Sequence, residues 1–216
     1  MRCEFIAIGT ELLLGQIVNS NAAWLGEQLA LAGIDCVYHV TIGDNRQRMH
    51  DTIQQALDRS DAVIVSGGLG PTQDDITREV IADVMKVGLI RDDEIAERIR
   101  HRFESRGRIM SENNLKQADI PDGGVAIPQM PGTAPGLICP VGGKIIYAVP
   151  GVPFEMKMMV NECVLPDLKQ RSGITSVIKS RVLKTWGQTE SGLDEMLTER
   201  MAYLDDKGGA TIAFQA

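Results

Sequence analysis

Two adjacent carboxylates, Asp74 and Asp75, follow three glycines spread over four positions, Gly67, Gly68 and Gly70. That order of residue types speaks of phosphate chemistry. Glycines admit positive φ and let the backbone approach a ligand closely, with N–H groups free to face an anion. Pro71 and Thr72 continue the turn. A helix expected to begin between positions 72 and 77 would aim the positive end of its dipole at the same place. A cradle built for an anion should avoid carboxylates unless a divalent cation lies between carboxylate and phosphate. Asp74 and Asp75 therefore point to magnesium or a similar hard metal. Two better-known phosphate loops are excluded. No lysine follows the glycines, so GxxxxGK[ST] fails, and Gly68-Leu69-Gly70-Pro71-Thr72-Gln73 ends in glutamine where GxGxxG needs glycine. A plain strand-to-helix turn with a capping aspartate explains a glycine pair, but not the length of this motif together with its acidic pair.

The loop has to be carried by regular elements. Residues 62–65 are apolar without alternation, as in a strand covered on both faces. Residues 5–8 form an earlier strand ending at Gly9-Thr10-Glu11, which puts Glu11 at a carboxyl end, where open α/β sheets bind ligands. An exposed turn carboxylate is the competing reading. Asn19-Ser20-Asn21 offers capping side chains, and Ala22, Leu25, Leu29 and Ala32 recur at helical spacing until Gly33. Residues 34–42 contain a second strand. Asp44 after it is expected to cap the helix carrying Met49, Ile53, Ala56 and Leu57, and its place at a strand end also makes it a ligand candidate. A helix over 79–87, stopped by Gly88, completes a βαβ pattern that predicts a parallel sheet.

Residues 92–106 predict a charged amphipathic helix with Ile95, Ile99 and Phe103 on one side, and 112–117 a shorter one. Both read as a cover or an oligomer contact. Pro131-Gly132-Thr133-Ala134-Pro135-Gly136 is a loop of defined shape. Gly142-Gly143 should turn a hairpin between 137–139 and 144–149. Pro150-Gly151-Val152-Pro153-Phe154-Glu155 then makes a second strand-to-helix corner, with a helix toward position 165. Helix N-terminal electrostatics alone would explain Glu155. From about 172 the pattern changes to a strand at 177–186, a helix at 190–201 and a strand at 209–214, the start of a second α+β module. The expected domains are therefore 1–171 and 172–216.

Composition narrows the function classes. Of 216 residues, 44% are hydrophobic and 24% charged, ordinary for a globular protein. The net charge of −7, from 22 basic and 29 acidic residues, argues against a broad nucleic-acid or anionic-membrane surface. No apolar run approaches the roughly 20 residues of a membrane span, and the N-terminus does not read as a signal peptide. Cys3, Cys36, Cys139 and Cys163 lie far apart without a CxxC pair, so they read as reduced cysteines of a cytoplasmic protein.

Together these residues resemble the amino-terminal domain of the CinA family, competence/damage-inducible protein A. The resemblance rests on Gly9-Thr10-Glu11-Leu12-Leu13-Leu14-Gly15-Gln16, Asn19-Ser20-Asn21, Gly43-Asp44-Asn45, Ser66 to Thr72 with Asp74-Asp75, Pro131 to Gly136 and Pro150 to Met156, in order over residues 4–160. It implies the molybdopterin-binding-like fold, an αβα three-layer sandwich with a mostly parallel sheet. It also implies that a small KH-like module follows. The family resemblance further implies ADP-ribose pyrophosphatase activity with a divalent metal, magnesium, cobalt or manganese, and with potassium. Many members carry a carboxyl-terminal nicotinamide-nucleotide amidohydrolase domain. These 216 residues hold no counterpart of it, so deamidation is not assigned to them.

On this reading Asp74, Asp75 and Glu11 are the catalytic and metal-holding carboxylates, with Asp44 a further candidate. Gly67, Gly68, Gly70, Pro71, Thr72, Asp44, Gly132, Thr133 and Gly151 surround a nucleotide-type small molecule. Homo-oligomerisation is expected from the resemblance, and neither nucleic acid nor membrane is expected as a partner. Molybdopterin binding with adenylyl transfer, and a non-catalytic nucleotide- or pterin-binding regulatory module, are the competing functions.

Overall fold

The computed structural model describes residues 1–128, 131–173, 181–208 and 210–214. The chain divides into two compact units, Met1–Lys179 and Ser180–Ala216. The first is built on a six-stranded sheet of order β2-β1-β3-β8-β7-β6. Its strands are β1 (Arg2–Ile8), β2 (Asp35–Ile42), β3 (Ala62–Ser66), β6 (Val125–Ala126), β7 (Leu137–Val141) and β8 (Lys144–Val149). β2, β1, β3 and β8 run parallel, whereas β7 and β6 continue the sheet antiparallel. A separate antiparallel pair joins β4 (Leu89–Arg91) to β5 (Asp119–Pro121).

Side-chain alternation explains why the strands read as continuous apolar runs. Ile6, Ile8, Val63, Val65, Ile146 and Ala148 face one core, with Met49, Ile53, Val80, Ile81 and Ile99 of the covering helices. Phe5, Ala7, Ile64, Tyr147 and Val149 face the other, with Leu25, Leu29, Met156, Met159 and Leu168. Both faces are covered, so the expected three-layer α/β sandwich is the observed one. Helices α3 (Arg46–Arg59), α4 (Thr77–Met85) and α5 (Asp93–Glu104) supply the first face. Helices α2 (Ser20–Leu31), α6 (Pro153–Met159) and α7 (Leu165–Ser172) supply the second. Gly142 and Gly143 both take positive φ, at 53° and 84°, and close the expected β7–β8 hairpin.

Four local expectations are corrected. Asn45, not Asp44, caps α3, its side chain accepting from the N–H of Arg48. α4 ends at Lys86 rather than Gly88, because Lys86 itself adopts the left-handed conformation at φ 59°, ψ 42°. The helix from Pro153 passes position 165: a π-helical segment, Val160–Val164, leads into α7. Pro166 lies at the start of α7 and has no N–H, so the i→i−4 ladder is broken where the π turn occurs. The 112–117 segment is 3₁₀ (Glu112–Ala118), not α, and it turns inward, with Asn114, Gln117 and Ala118 buried. The strands β4, β5 and β6, of two or three residues each, were too short to produce a sequence period.

In the second unit α8 (Glu190–Lys207) is capped by Thr189, whose hydroxyl accepts from the N–H of Gly192 at 3.1 Å, and closes on Gly208 in the left-handed region. The expected flanking strands are not found among the described residues. Residues 181–186 and 210–214 carry no regular structure, while 177–180 and 209 lie outside the described set. A strand needs a paired neighbour for its N–H and C=O groups, and the described part of this unit offers none. The KH-like expectation is not confirmed. Among the described residues no helix is long and apolar enough to cross a membrane.

Lys86 makes a direct test of this account of α4. A side chain in the left-handed region is strained and glycine there is not. Lys86→Gly is expected to raise the unfolding free energy by about 0.5–1 kcal/mol, read as a higher urea midpoint at unchanged slope.

Candidate functional site

The carboxyl ends of the four parallel strands lie together, and three of them end in corners rich in glycine. At the first corner Gly9 donates its N–H to the Ile42 carbonyl at 2.9 Å, tying β1 to β2. The short helix α1 (Thr10–Leu13) starts here, and Asp44 holds its first residue. Asp44 Oδ2 accepts from both the N–H and the hydroxyl of Thr10, each at 2.9 Å. Asp44 is thus committed to closing the β1–β2 corner. Glu11 folds back over Gly9, where a Cβ would fall 2.5 Å from its Oε1. Its carboxylate is exposed and accepts no hydrogen bond among the described residues.

The second corner is the glycine loop between β3 and α4. Gly67 takes φ 111° and abuts the end of β1; a Cβ on it would lie 2.2 Å from the Ile8 carbonyl oxygen. Gly68 takes φ 66° and faces Thr77, whose hydroxyl donates to the Gly67 carbonyl at 2.8 Å and whose N–H donates to the Gly68 carbonyl at 3.1 Å. Gly70 leaves room for Asp75, at 2.4 Å from where its Cβ would be. Asp75 Oδ2 then accepts from the N–H of Thr72 at 2.9 Å and from its hydroxyl at 2.5 Å, closing the turn on itself. Asp74 is left exposed. The nearby Thr72 hydroxyl dipole, helped by its own backbone N–H and the Lys116 ammonium, holds its carboxyl below the ordinary aspartate range, although the hydroxyl proton itself goes to Asp75.

The third corner follows β8. Gly67 donates to the Val149 carbonyl at 3.1 Å, and the Ser66 hydroxyl donates to the Pro150 carbonyl at 3.2 Å. Gly151 stands against Gly67, whose Cα is 3.6 Å from where a Cβ on Gly151 would be. Pro131 and Gly132 reach this end of the sheet through Glu155 and Arg102. A Cβ on Gly132 would lie 2.3 Å from Glu155 Oε1, and the Arg102 guanidinium donates to the Pro131 carbonyl. Burial raises the pKa of Glu155, with Arg102 opposing. Gly132 also borders an open cavity of about 850 Å³ along α5, with Glu97, His101 and Arg102. Thr133, half-buried, makes no hydrogen bond among the described residues.

The structure therefore brings Gly67, Gly68, Gly70, Pro71, Thr72, Asp74, Asp75 and Gly151 into one region, with Glu11 and Asp44 at the adjoining strand end. Gly132 and Thr133 belong to a neighbouring loop, which meets the β8–α6 corner through Glu155. Several residues here gave no separate signal in the sequence. Asn21 is 8% exposed and donates from Nδ2 to the Gly151 carbonyl at 2.8 Å, with Ser66 Oγ at 3.5 Å. Asn19 alone supplies the α2 cap, accepting from the N–H of Ala22 at 3.0 Å, so Asn21 was spare for this task. Behind the glycine loop, Arg78 and Gln117 donate to the Leu69 carbonyl, and Lys116 donates to those of Thr72 and Asp75. Only the sequence-distant fold brings the 3₁₀ segment there.

Would these residues hold a divalent ion? Among the described residues no three His, Cys, Asp or Glu side chains form a ready ligand set, so Glu11, Asp74 and Asp75 are not gathered into a closed shell. Asp74 is exposed and ionised, and Asp75 has one oxygen already committed. One or two carboxylates beside an anion cradle fit a hard cation shared with ligand phosphate, as magnesium commonly is, rather than a protein-only cage.

Comparison with known proteins agrees with this class of fold. Residues 4–170 match the family model described as a probable molybdopterin binding domain. The chain is 46% identical to a CinA-like protein of Frankia casuarinae, with 100% of this chain and 51% of the relative covered. It is 48% identical to a putative competence-damage inducible protein of Caldanaerobacter subterraneus, over 91% of this chain and 47% of the relative. A crystal structure of CinA from Thermoplasma acidophilum superposes with a TM-score of 0.70 at 35% identity, covering 78% of this chain and 97% of that one. MoaB of Thermus thermophilus shares the fold alone, with a TM-score of 0.54 at 18% identity over 77% of this chain and 91% of that one. The chain belongs to the CinA family, and it spans about half the length of the curated relatives it matches.

The Thr72 contact gives a measurable consequence. A carboxyl lowered in the folded state adds stability above its unfolded pKa and loses it as pH falls through the folded one. In Thr72→Val the Asp74 carboxyl is expected to titrate higher, toward the ordinary aspartate value, by carboxyl ¹³C NMR. An unchanged Asp74 curve would show that Thr72 does not set its ionisation.

Proposed function

We propose that this domain hydrolyses the pyrophosphate bond of ADP-ribose or a related nucleotide, giving AMP and ribose 5-phosphate. The observation that carries the reading is the glycine loop itself. Its turn is fixed by Thr77 and by the side chains behind it that donate to its carbonyls, while the N–H groups of Gly68, Leu69 and Gly70 have no partner among the described residues. Backbone N–H groups held in that way suit a phosphate. The exposed carboxylates beside them suit a reaction on that phosphate rather than storage of it.

Each residue has a distinct task on this reading. The loop orients one phosphate against the strand ends. Asp74, with the free oxygen of Asp75, would hold a divalent cation such as magnesium, cobalt or manganese. When bound, such an ion withdraws charge from phosphorus and makes a nearby water more acidic. Asp44 is occupied by Thr10, which leaves Glu11 as the carboxylate to take the proton of the attacking water. The water oxygen joins one phosphorus and the bridging oxygen leaves with the other phosphate. Asn21 fixes the Gly151 carbonyl, and so the wall opposite Gly67.

A second reading, binding of a molybdopterin-type ligand, draws on the family model matched by residues 4–170. Both make distinct forecasts. The chain incubated with ADP-ribose, potassium and magnesium, cobalt or manganese is expected to release AMP and ribose 5-phosphate, followed by chromatography. Asp74→Asn should lower turnover at least about 100-fold while ADP-ribose still binds. Binding without turnover under every metal would count against hydrolysis, and pterin binding with adenylyl transfer from ATP would establish the second reading.

A further inference from the structure

Arg78 is 1% exposed, in the first turn of α4, directly behind the glycine loop. Its Nη2 donates to the Leu69 carbonyl, whereas Nε and Nη1 have no hydrogen-bond partner among the described residues. Glu79, Asp75 and Asp119 act on it electrostatically, but no described carboxylate comes within ion-pair distance. Burial lowers its pKa only to about 10, so it remains a cation at neutral pH. A buried, unpaired guanidinium is costly, and proteins usually give it a carboxylate or leave it in water. Here no described carboxylate pairs with it directly, bulk water does not reach it, and it lies beneath a loop whose outward groups are N–H donors.

The geometry of the loop peptides adds a second reason. In a planar trans peptide the C=O of one residue and the N–H of the next point to opposite sides. Arg78 and Gln117 hold the Leu69 carbonyl inward, so the N–H of Gly70 is turned outward. Lys116 does the same at Thr72, turning out the N–H of Gln73. Neither N–H has a partner among the described residues. The charge of Arg78 and the Gly70 N–H that it helps to aim therefore belong to the same turn of the loop.

We infer that Arg78 is the positioning residue and the fixed counter-charge of the phosphate site: it aims the Gly70 N–H at a ligand phosphate, whose charge supplies the partner that the guanidinium lacks. This rests on the anion-binding part of the reading above and not on hydrolysis. The ligand class is a nucleoside phosphate or diphosphate, with affinity growing with phosphate charge rather than with the base.

The test compares adenosine, AMP and ADP-ribose by calorimetry at fixed salt, for the full chain and for Arg78→Met. Methionine keeps the volume and removes the charge. Adenosine affinity is expected to stay within about twofold, AMP to weaken about tenfold and ADP-ribose by more. Losses equal for all three ligands, or no loss for AMP and ADP-ribose, overturn the assignment. In the wild-type chain, addition of inorganic pyrophosphate should shift the Gly70 N–H and Arg78 Nε–H resonances; unmoved resonances overturn it even if Arg78→Met fails to fold. A wild-type chain that binds ADP-ribose without cleaving it removes the hydrolase reading and leaves the Arg78 comparison to be scored. A wild-type chain that binds none of the phosphates removes both.

Discussion

Gly67 packs directly on the end of β1, where any Cβ would collide with the Ile8 carbonyl oxygen at 2.2 Å. That contact ties the loop after β3 to the strand beside it. The Gly67 N–H, bonded to Val149, ties the same residue to β8 on the other side. One residue without a side chain thus joins three strand ends, and the Gly9, Gly68 and Gly151 corners gather around it. The apolar interdigitation on both sheet faces fixes the strands in register, and the register fixes this meeting point.

The polar groups around that point divide into two sets. Asp44, Asp75, Thr77 and Ser66 are consumed in closing corners, each with a backbone or hydroxyl partner. Asp74 and Glu11 are left exposed, and the carbonyls of the glycine loop are drawn away from the ligand side by Arg78, Lys116 and Gln117. Cations lie behind the loop and carboxylates in front of it. That arrangement suits an anion bound together with a small cation, because each charge then has an opposite neighbour. At the other end of β1 the fully buried Glu4 is paired with Arg59 at 2.5 Å, and Arg59 stacks on Tyr38 at 3.9 Å. That pair serves the fold alone.

Belonging to the CinA family accounts for the fold and for the order of the motifs, but not for the tasks of single side chains. Asp44 shows why. Its residue type and place fitted both a helix cap and a ligand, and it turned out to hold Thr10 across the β1–β2 corner. The Asn19-Ser20-Asn21 run likewise looked like redundant capping until Asn21 proved to be buried against Gly151.

Sequence alone determined the elements whose signal is local. Uninterrupted apolar strands, helices with period 3.6, glycines at positive φ and the Gly142-Gly143 turn all follow from steric and solvation rules acting within a few residues. It also placed the acidic pair beside the glycine loop. Only the tertiary structure decided which carboxylates remained free, that a 3₁₀ segment forty residues downstream would clamp the loop (Lys116 to Thr72, separated by 44 positions), and that Arg78 would be buried without a direct ion pair among the described residues. Those outcomes depend on which distant donors reach which carbonyls, and a pattern of residue types along the chain holds no record of such meetings.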